Sequence, residues 1–257
     1  MDSAGAAAMQ PEGRSAPAIS VVVATCNRSA KLSNCLERLL AMDTGRLAWE
    51  LICVDNNSRD GTRRIVESLA RRSPVPLHYV FERMQGLGCA RNAGLRHARG
   101  DIIAMTDDDC LVAVDWLSAI WREFQSNGTL GLLFGRAELH NEDDLPLTIR
   151  TGVAHRDFTV ESLFGLIPGC NMAFRRCVVD RIGGFDPDFG VGAPLPSTED
   201  SDFIYRACKA GIAVAYTPDV VLFHDHGRKT KRDRHKLVRN YITARGAFYL
   251  KHILKGD

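Results

Sequence analysis

Apolar positions in the first half of the chain fall into short unbroken runs, separated by segments where they recur at helical spacing. Ile19–Thr25 is a largely β-branched run. Lys31–Met42 follows, with Leu32, Cys35, Leu36, Leu39 and Leu40 three and four residues apart. Leu51–Val54 is a second strand, and Asp60–Arg72 is a helix with Ile65, Val66 and Leu69 turned inward. Leu77–Phe81 is a third strand, Cys89–Ala98 a helix of small and polar residues, and Asp101–Thr106 a fourth strand. Short apolar runs fit strands covered on both faces, and a helix between consecutive strands makes βαβ units. The pattern predicts an α/β fold, Rossmann-like, with a mostly parallel central sheet and helices on both faces.

After the fourth strand the rhythm changes. Trp116–Phe124 reads as a helix and Leu130–Ala137 as a strand. Residues 138–166 are irregular and charged, and Gly183–Pro187 is a turn. Asp202–Ala210 is a helix entered through Thr198-Glu199-Asp200, and Ala213–Tyr216 and Val220–Phe223 are further strands. The division expected is a flexible segment over residues 1–18, a first half over 19–115, a second half of the same domain over 116–226, and a C-terminal helical tail over 227–257. On helical spacing, the tail's Val238, Tyr241, Ile242, Phe248 and Tyr249 form one stripe that also contains Arg245.

At 257 residues, 45% hydrophobic and 25% charged, the composition excludes disorder, collagen and coiled coil as the main architecture. No apolar run approaches the roughly 18 residues of a membrane span. The first residues lack the basic-then-apolar pattern of a secretory signal, so a cytoplasmic setting is expected. Eight cysteines without any C-x-x-C pair fit free, mostly buried thiols. The net charge of +2 is uneven, because residues 228–257 hold ten Lys/Arg against two acids, leaving the remainder at −6. So basic a tail attracts anionic membranes or phosphate-bearing ligands, which adds contact with the inner face of a membrane to the expectations. With no aromatic-basic platform beside it, nucleic acid is not expected as a partner.

Polar clusters stand at the strand ends, where open α/β sheets bind ligands. Thr25-Cys26-Asn27-Arg28 follows strand one, Asp55-Asn56-Asn57-Ser58 strand two, and Asp107-Asp108-Asp109 strand four. Three adjacent carboxylates repel one another. Either water solvates them in an acidic turn, or a hard cation such as Mg²⁺ or Mn²⁺ sits among them. Asn56, Ser58, Asp60 and Gly61 suit a turn and helix cap, whereas Asp55 is free to accept from a base or ribose. Gly86-Leu87-Gly88, opening a helix that carries Arg91, is either a plain loop or a phosphate cradle. Thr198-Glu199-Asp200 is either a capped helix start or the presentation of a general base. His224 and His226 form an H-x-H at a strand end, either as surface imidazoles or as metal ligands.

Taken in order, VVVATCNR, VDNNSRDGT, GLGCARNAGL, TDDDC, GCNMAFRR, GGFD and TEDSDF resemble the inverting family 2 glycosyltransferases, whose fold is called GT-A. The resemblance covers residues 19–225. It implies that Thr25, Asn27 and Arg28 lie in the first donor loop, that Asp55 holds the nucleotide base, and that Arg91 faces the diphosphate. Asp107 and Asp109 would be the DXD pair, with Asp107 or Asp108 near the ribose and Asp109 the chief ligand of Mn²⁺ or Mg²⁺. Asp200 would be the catalytic base, with Glu199 beside it on the acceptor side. Gly169, Cys170 and Asn171 would shape the sugar and acceptor pocket, and His224 would be a further metal ligand in competition with His226. The implied partners are a nucleotide-sugar donor, UDP-sugars favoured, and a glycan, lipid-linked or small-molecule acceptor. Without a Q-x-x-R-W sequence, single transfer is expected over polymer synthesis. The rival readings are a sugar-1-phosphate nucleotidyltransferase, for which ATCNRSAKL lacks the glycine-rich stretch after strand one, and a non-catalytic nucleotide-sugar-binding relative.

Overall fold

The computed structural model describes residues 16–160 and 169–256. Most of the N-terminal segment expected to be flexible, and residues 161–166 of the stretch expected to be irregular, lie outside the described residues.

In the first half, β1 (Ile19–Thr25), β2 (Trp49–Asp55), β3 (Leu77–Phe81) and β4 (Ile102–Asp107) are parallel neighbours in the order β3-β2-β1-β4. They are joined by α1 (Ser29–Leu40), α2 (Thr62–Ala70) and α3 (Leu87–His97). These elements match the periodicity, with ends displaced by about two residues at most. Every residue of β1 and β2 is buried, which is why neither strand alternates. Val21, Val23, Leu51 and Cys53 pack under α1, α2 and α4 (Trp116–Ser126). Val22, Ala24, Ile52 and Val54 point to the opposite face, against α3 and α6 (Glu199–Lys209).

The second half extends the same sheet with β5 (Cys110–Val112), β6 (Leu130–Leu139), β7 (Arg156–Phe158), β8 (Asn171–Arg175) and β9 (Ala213–His224). The full order is β3-β2-β1-β4-β8-β6-β9-β5, with β7 also on β9. β8 lies antiparallel between β4 and β6, and β9 runs parallel to β6 with β5 and β7 antiparallel to it. The sheet is therefore parallel on one side and mixed on the other. β5, β7, β8 and α5 (Arg176–Ile182) carry no clear periodicity, being three to seven residues long.

The two strands expected at Ala213–Tyr216 and Val220–Phe223 are one strand, β9, whose register against β6 shifts between Gly135 and Arg136. A Cβ on Gly135 would lie 2.2 Å from the Val220 carbonyl oxygen, so this close approach needs glycine. Asn171 spans the irregularity. Its side chain donates to the carbonyls of Arg136 and Val220 at 2.8 and 2.9 Å and accepts from Trp116 Nε1 at 2.9 Å. Asn171 is fully buried, which corrects its expected place on the acceptor side: its amide is engaged inside the sheet.

The tail is a single helix, α7 (Lys231–Leu254), started by a capping box in which the Thr230 hydroxyl accepts from the Asp233 N–H. Lys251 and His252 reach the fully buried Asp202, and Phe248 meets Tyr205 edge-on at 5.4 Å. These contacts set the rotation of the helix and divide the expected stripe. Phe248 and Tyr241 turn towards the body, while Val238, Ile242 and Tyr249 stay exposed. No helix among the described residues is long and apolar enough to cross a membrane.

Candidate active site

A cavity of about 470 Å³ opens beyond the carboxyl ends of β1 and β4. The in-register pairing of the two strands sets Ala24 beside Asp107, so the residues that follow share one edge. Thr25, Arg28, Arg91, Asp107, Asp108, Asp109, Gly169, Cys170, Glu199, Asp200 and His224 all line the cavity.

The three aspartates have different surroundings. Asp107 is partly exposed, while Asp108 and Asp109 are buried. Asp108 accepts from Thr25 Oγ1 at 2.7 Å and pairs with Arg28 at 3.2 Å. Burial pushes its carboxyl up to about 7 against the pull of Arg28. Asp109 accepts from Arg28 at 2.7 Å and stands 3.4 Å from His224 Nε2. Burial would raise Asp109, but the hydrogen bond and charge of His224, joined by Arg28, hold it well below the usual carboxylate range. Burial would likewise lower His224, yet the Cys170 side chain and the Asp109 and Asp107 carboxylates outweigh it and push the imidazole up to about 9.

Asp109, Cys110 and His224 offer ligand atoms that all lie within 4.8 Å of one another. Burial drives the Cys110 thiol well above its ordinary value, and a soft thiol suits a hard cation less well than oxygen or imidazole does. A carboxylate oxygen and an imidazole nitrogen remain, with the partly exposed Asp107 two residues away. That donor set fits a divalent cation such as Mn²⁺, which accepts both oxygen and imidazole. The His226 Nδ1 accepts from the Arg228 N–H at 2.9 Å and faces Asp144 at 3.4 Å, while its buried Nε2 has no hydrogen-bond partner among the described residues.

Across the cavity, α6 begins at Glu199. Thr198 precedes it with φ at +80°, a left-handed conformation strained for a β-branched residue. Its side chain makes no capping bond, so the expected cap is absent. Glu199 is buried against Arg91 at 3.1 Å, and burial with the neighbouring Asp200 raises it to about 7. Asp200 is partly exposed, and burial raises its carboxyl against the pull of Arg91. A Cβ on Gly169 would fall 2.2 Å from Asp200 Oδ2, so Gly169 is the floor on which this carboxylate rests. Arg91 also donates to the Gly169 carbonyl and to Asp107, both at 3.2 Å. One buried guanidinium thus ties the acidic strand end to the start of α6.

Other residues singled out in the sequence lie at the margin. Asp55 is buried, with its carboxylate accepting from the Ser58 N–H and the Tyr79 hydroxyl at 2.8 Å each, beside a smaller cavity that includes Phe81. Asn27 is exposed at φ +54°, and its side chain accepts from the Arg59 N–H at 2.7 Å. The Gly86–Gly88 loop offers less of a phosphate cradle than its glycines imply. The Gly86 N–H goes to Asn56 and the Leu87 N–H to Val191, both at 2.9 Å. A Cβ on Gly88 would lie 2.6 Å from the Asp186 carbonyl oxygen, so this glycine serves a close packing contact.

The wall opposite the strands was not legible in the sequence. Thr148, Arg228, Lys236, Asn240 and Tyr241 complete the cavity. Arg228 donates to Thr148 Oγ1 at 3.3 Å, and that hydroxyl sits 3.2 Å from His224 Nδ1. The basic character of the tail was visible, but nothing in its periodicity showed that its first turns face a cavity.

The model of glycosyl transferase family 2 matches residues 20–183. The succinoglycan biosynthesis protein ExoM of Rhizobium meliloti is 28% identical over 195 residues, covering 75% of this chain and 62% of that protein. Glycosyltransferase AglE of Haloferax volcanii is 25% identical over 210 residues, covering 81% of this chain and 67% of that protein. The match therefore spans roughly six tenths of the length of such relatives. Among solved structures, the mannosyltransferase PcManGT of Pyrobaculum calidifontis, in complex with GDP-Man and Mn²⁺, superposes with a TM-score of 0.68 at 25% identity, covering 96% of this chain and 67% of that one. Residues 1–349 of S. aureus TarS in complex with UDP give 0.65 at 20% identity, covering 86% of this chain and 63% of that one, a likeness of fold. The architecture is the GT-A fold.

Proposed function

This chain belongs to glycosyl transferase family 2, and from that premise we propose that it moves a sugar from a nucleotide-diphosphate sugar to an acceptor hydroxyl by a single, inverting displacement. The observation that carries the reading is the convergence of Asp107–Asp109, Arg91 and Asp200 on one cavity at the carboxyl edge of the sheet.

Each residue has a physical task in this reading. Asp55, whose oxygens each keep a further lone pair, accepts from the nucleotide base, and Thr25, Asn27 and Arg28 shape the adjoining loop. Asp107 and Asp108 face the ribose and diphosphate side. Asp109 and His224, with Asp107, would hold a divalent cation, Mn²⁺ or Mg²⁺, and the cation would offset the charge of the diphosphate leaving group. Arg91 adds a fixed positive charge nearby and keeps the two sides of the cavity in register. Asp200 takes the proton of the acceptor hydroxyl as it attacks the anomeric carbon. One base with no enzyme nucleophile means one displacement, hence inversion. Gly169 and Glu199 set the position of that base.

Uridine and guanosine donors both have a precedent among the structural neighbours, UDP-GlcNAc with TarS and GDP-Man with PcManGT. We keep a UDP-sugar as the first candidate. The test is Asp200→Asn. Release of nucleoside diphosphate in the presence of acceptor should fall by about 10²–10⁴, while calorimetric affinity for the nucleotide stays within about twofold of wild type. Wild-type turnover in the variant would remove Asp200 from the role of base.

A further inference from the structure

α7 has two faces, and the cavity uses one of them. Leu237, Asn240 and Tyr241 line the cavity, Ala244 and His252 are buried further along, and Lys251 bridges to Asp186 at 2.8 Å. The opposite face carries Ile242, Leu250, Ile253 and Leu254, exposed by 69%, 57%, 68% and 77%. So much aliphatic surface on one helix face is unfavourable in water and marks an interaction surface. The charge on that face is graded. Lys231, Arg232 and Arg239 are exposed on it and Arg245 at its edge, and none is ion-paired among the described residues.

We propose that this outer face of α7 seats the protein on an anionic bilayer, the aliphatic side chains entering the interface and the arginines and lysines meeting acidic headgroups. Exposed aliphatic side chains flanked by cations suit anionic lipid, where apolar burial and electrostatic attraction both contribute to binding. Each cation near an anionic surface strengthens binding about fivefold. A second copy of the chain is a poorer occupant, because two such faces in contact would bring two +8 tails together. The inner face of the same helix walls the cavity, so an acceptor held at the lipid surface comes within one helix diameter of it, about 10 Å. That last consequence rests on the transfer reading; the seating itself does not.

The test is co-sedimentation of the full chain with two vesicles, phosphatidylcholine alone and phosphatidylcholine mixed with phosphatidylglycerol. The chain should pellet with the mixed vesicles and stay in solution with the neutral ones, and added salt should weaken the binding. The double variant Ile242→Ser, Ile253→Ser should bind the mixed vesicles at least about tenfold more weakly, and so should Arg239→Glu, Arg245→Glu. All four positions are exposed and outside the cavity lining, so the melting temperature and nucleotide binding should be those of the wild type. Pelleting with neither vesicle, equal pelleting with both, or retained binding by either double variant overturns the proposal. So does a dimer in sedimentation velocity that Ile242→Ser, Ile253→Ser dissolves, since a second copy then covers the face. Retained nucleotide binding in a chain that fails to pellet would leave the transfer reading standing.

Discussion

Thr198 sits at φ +80° directly before the Glu199-Asp200 pair, and this backbone holds the start of α6 against the cavity. A β-branched residue there costs about 1–3 kcal/mol. Thr198→Gly should therefore raise stability by about 1 kcal/mol in denaturant melts while lowering turnover, because Asp200, the proposed base, is presented less rigidly. A variant that is both more stable and fully active would detach the strain from function. Gly169→Ala tests the other support of Asp200: the added methyl must displace the carboxylate, so turnover should fall at least about tenfold with the protein still folded. Burial also raises Asp200, and a base must be deprotonated, so the acid limb of kcat/KM should lie above the ordinary aspartate value of about 3.9. An acid limb at or below that value would contradict the assignment. At this scale the sequence was informative where residues had no folding reason to be there: three adjacent carboxylates at a strand end do not help a sheet. It misled at Asn171, whose partners Trp116, Arg136 and Val220 come from distant segments and leave no local trace.

Among elements, the contact between α6 and α7 holds the cavity wall in place. Asp202, fully buried on α6, pairs with Arg206 on its own helix and with Lys251 and His252 on α7. Burial opposes the charge on Asp202, but Lys251 and Arg206 outweigh it and hold the carboxyl below its ordinary value. The stabilisation is thus complete above the unfolded value of about 3.9 and is lost as pH falls through the lower folded value. Asp202→Asn should cost about 3–5 kcal/mol at neutral pH. Its melting temperature should also fall less steeply than that of the wild type as pH drops below about 4. Parallel acid profiles would show that the pair does not anchor the helix. α1 was legible because its four buried apolar residues, Leu32, Cys35, Leu36 and Leu39, follow one helical stripe. In α7 the stripe was misdrawn, because buried polar contacts at Lys251 and His252 fix which face turns inward, and periodicity counts only apolar residues.

For the whole molecule, the parallel half was readable because each βαβ unit is local in sequence and its strands are buried on both faces. The mixed half was not. β8 pairs with β4 and β6 across long separations, and β5 and β7 are three residues each, too short to show a period. The cavity lies along the junction of the two halves, with its carboxylates from the end of β4 and the start of α6 and its cations from the loop after β1, α3 and the tail. That explains why its acidic side was foreseen and its tail side was not. The central claim is that this junction binds a nucleotide diphosphate together with a divalent cation. The most direct test is a thermal-shift panel of nucleoside diphosphates and nucleotide sugars with Mn²⁺ or Mg²⁺, repeated with EDTA, for wild type and Asp109→Ala. Ligands that bind the native state raise the melting temperature by mass action. A rise with one nucleotide class is expected, disappearing with EDTA and in Asp109→Ala. No rise with any nucleotide, or a rise indifferent to both, would contradict it.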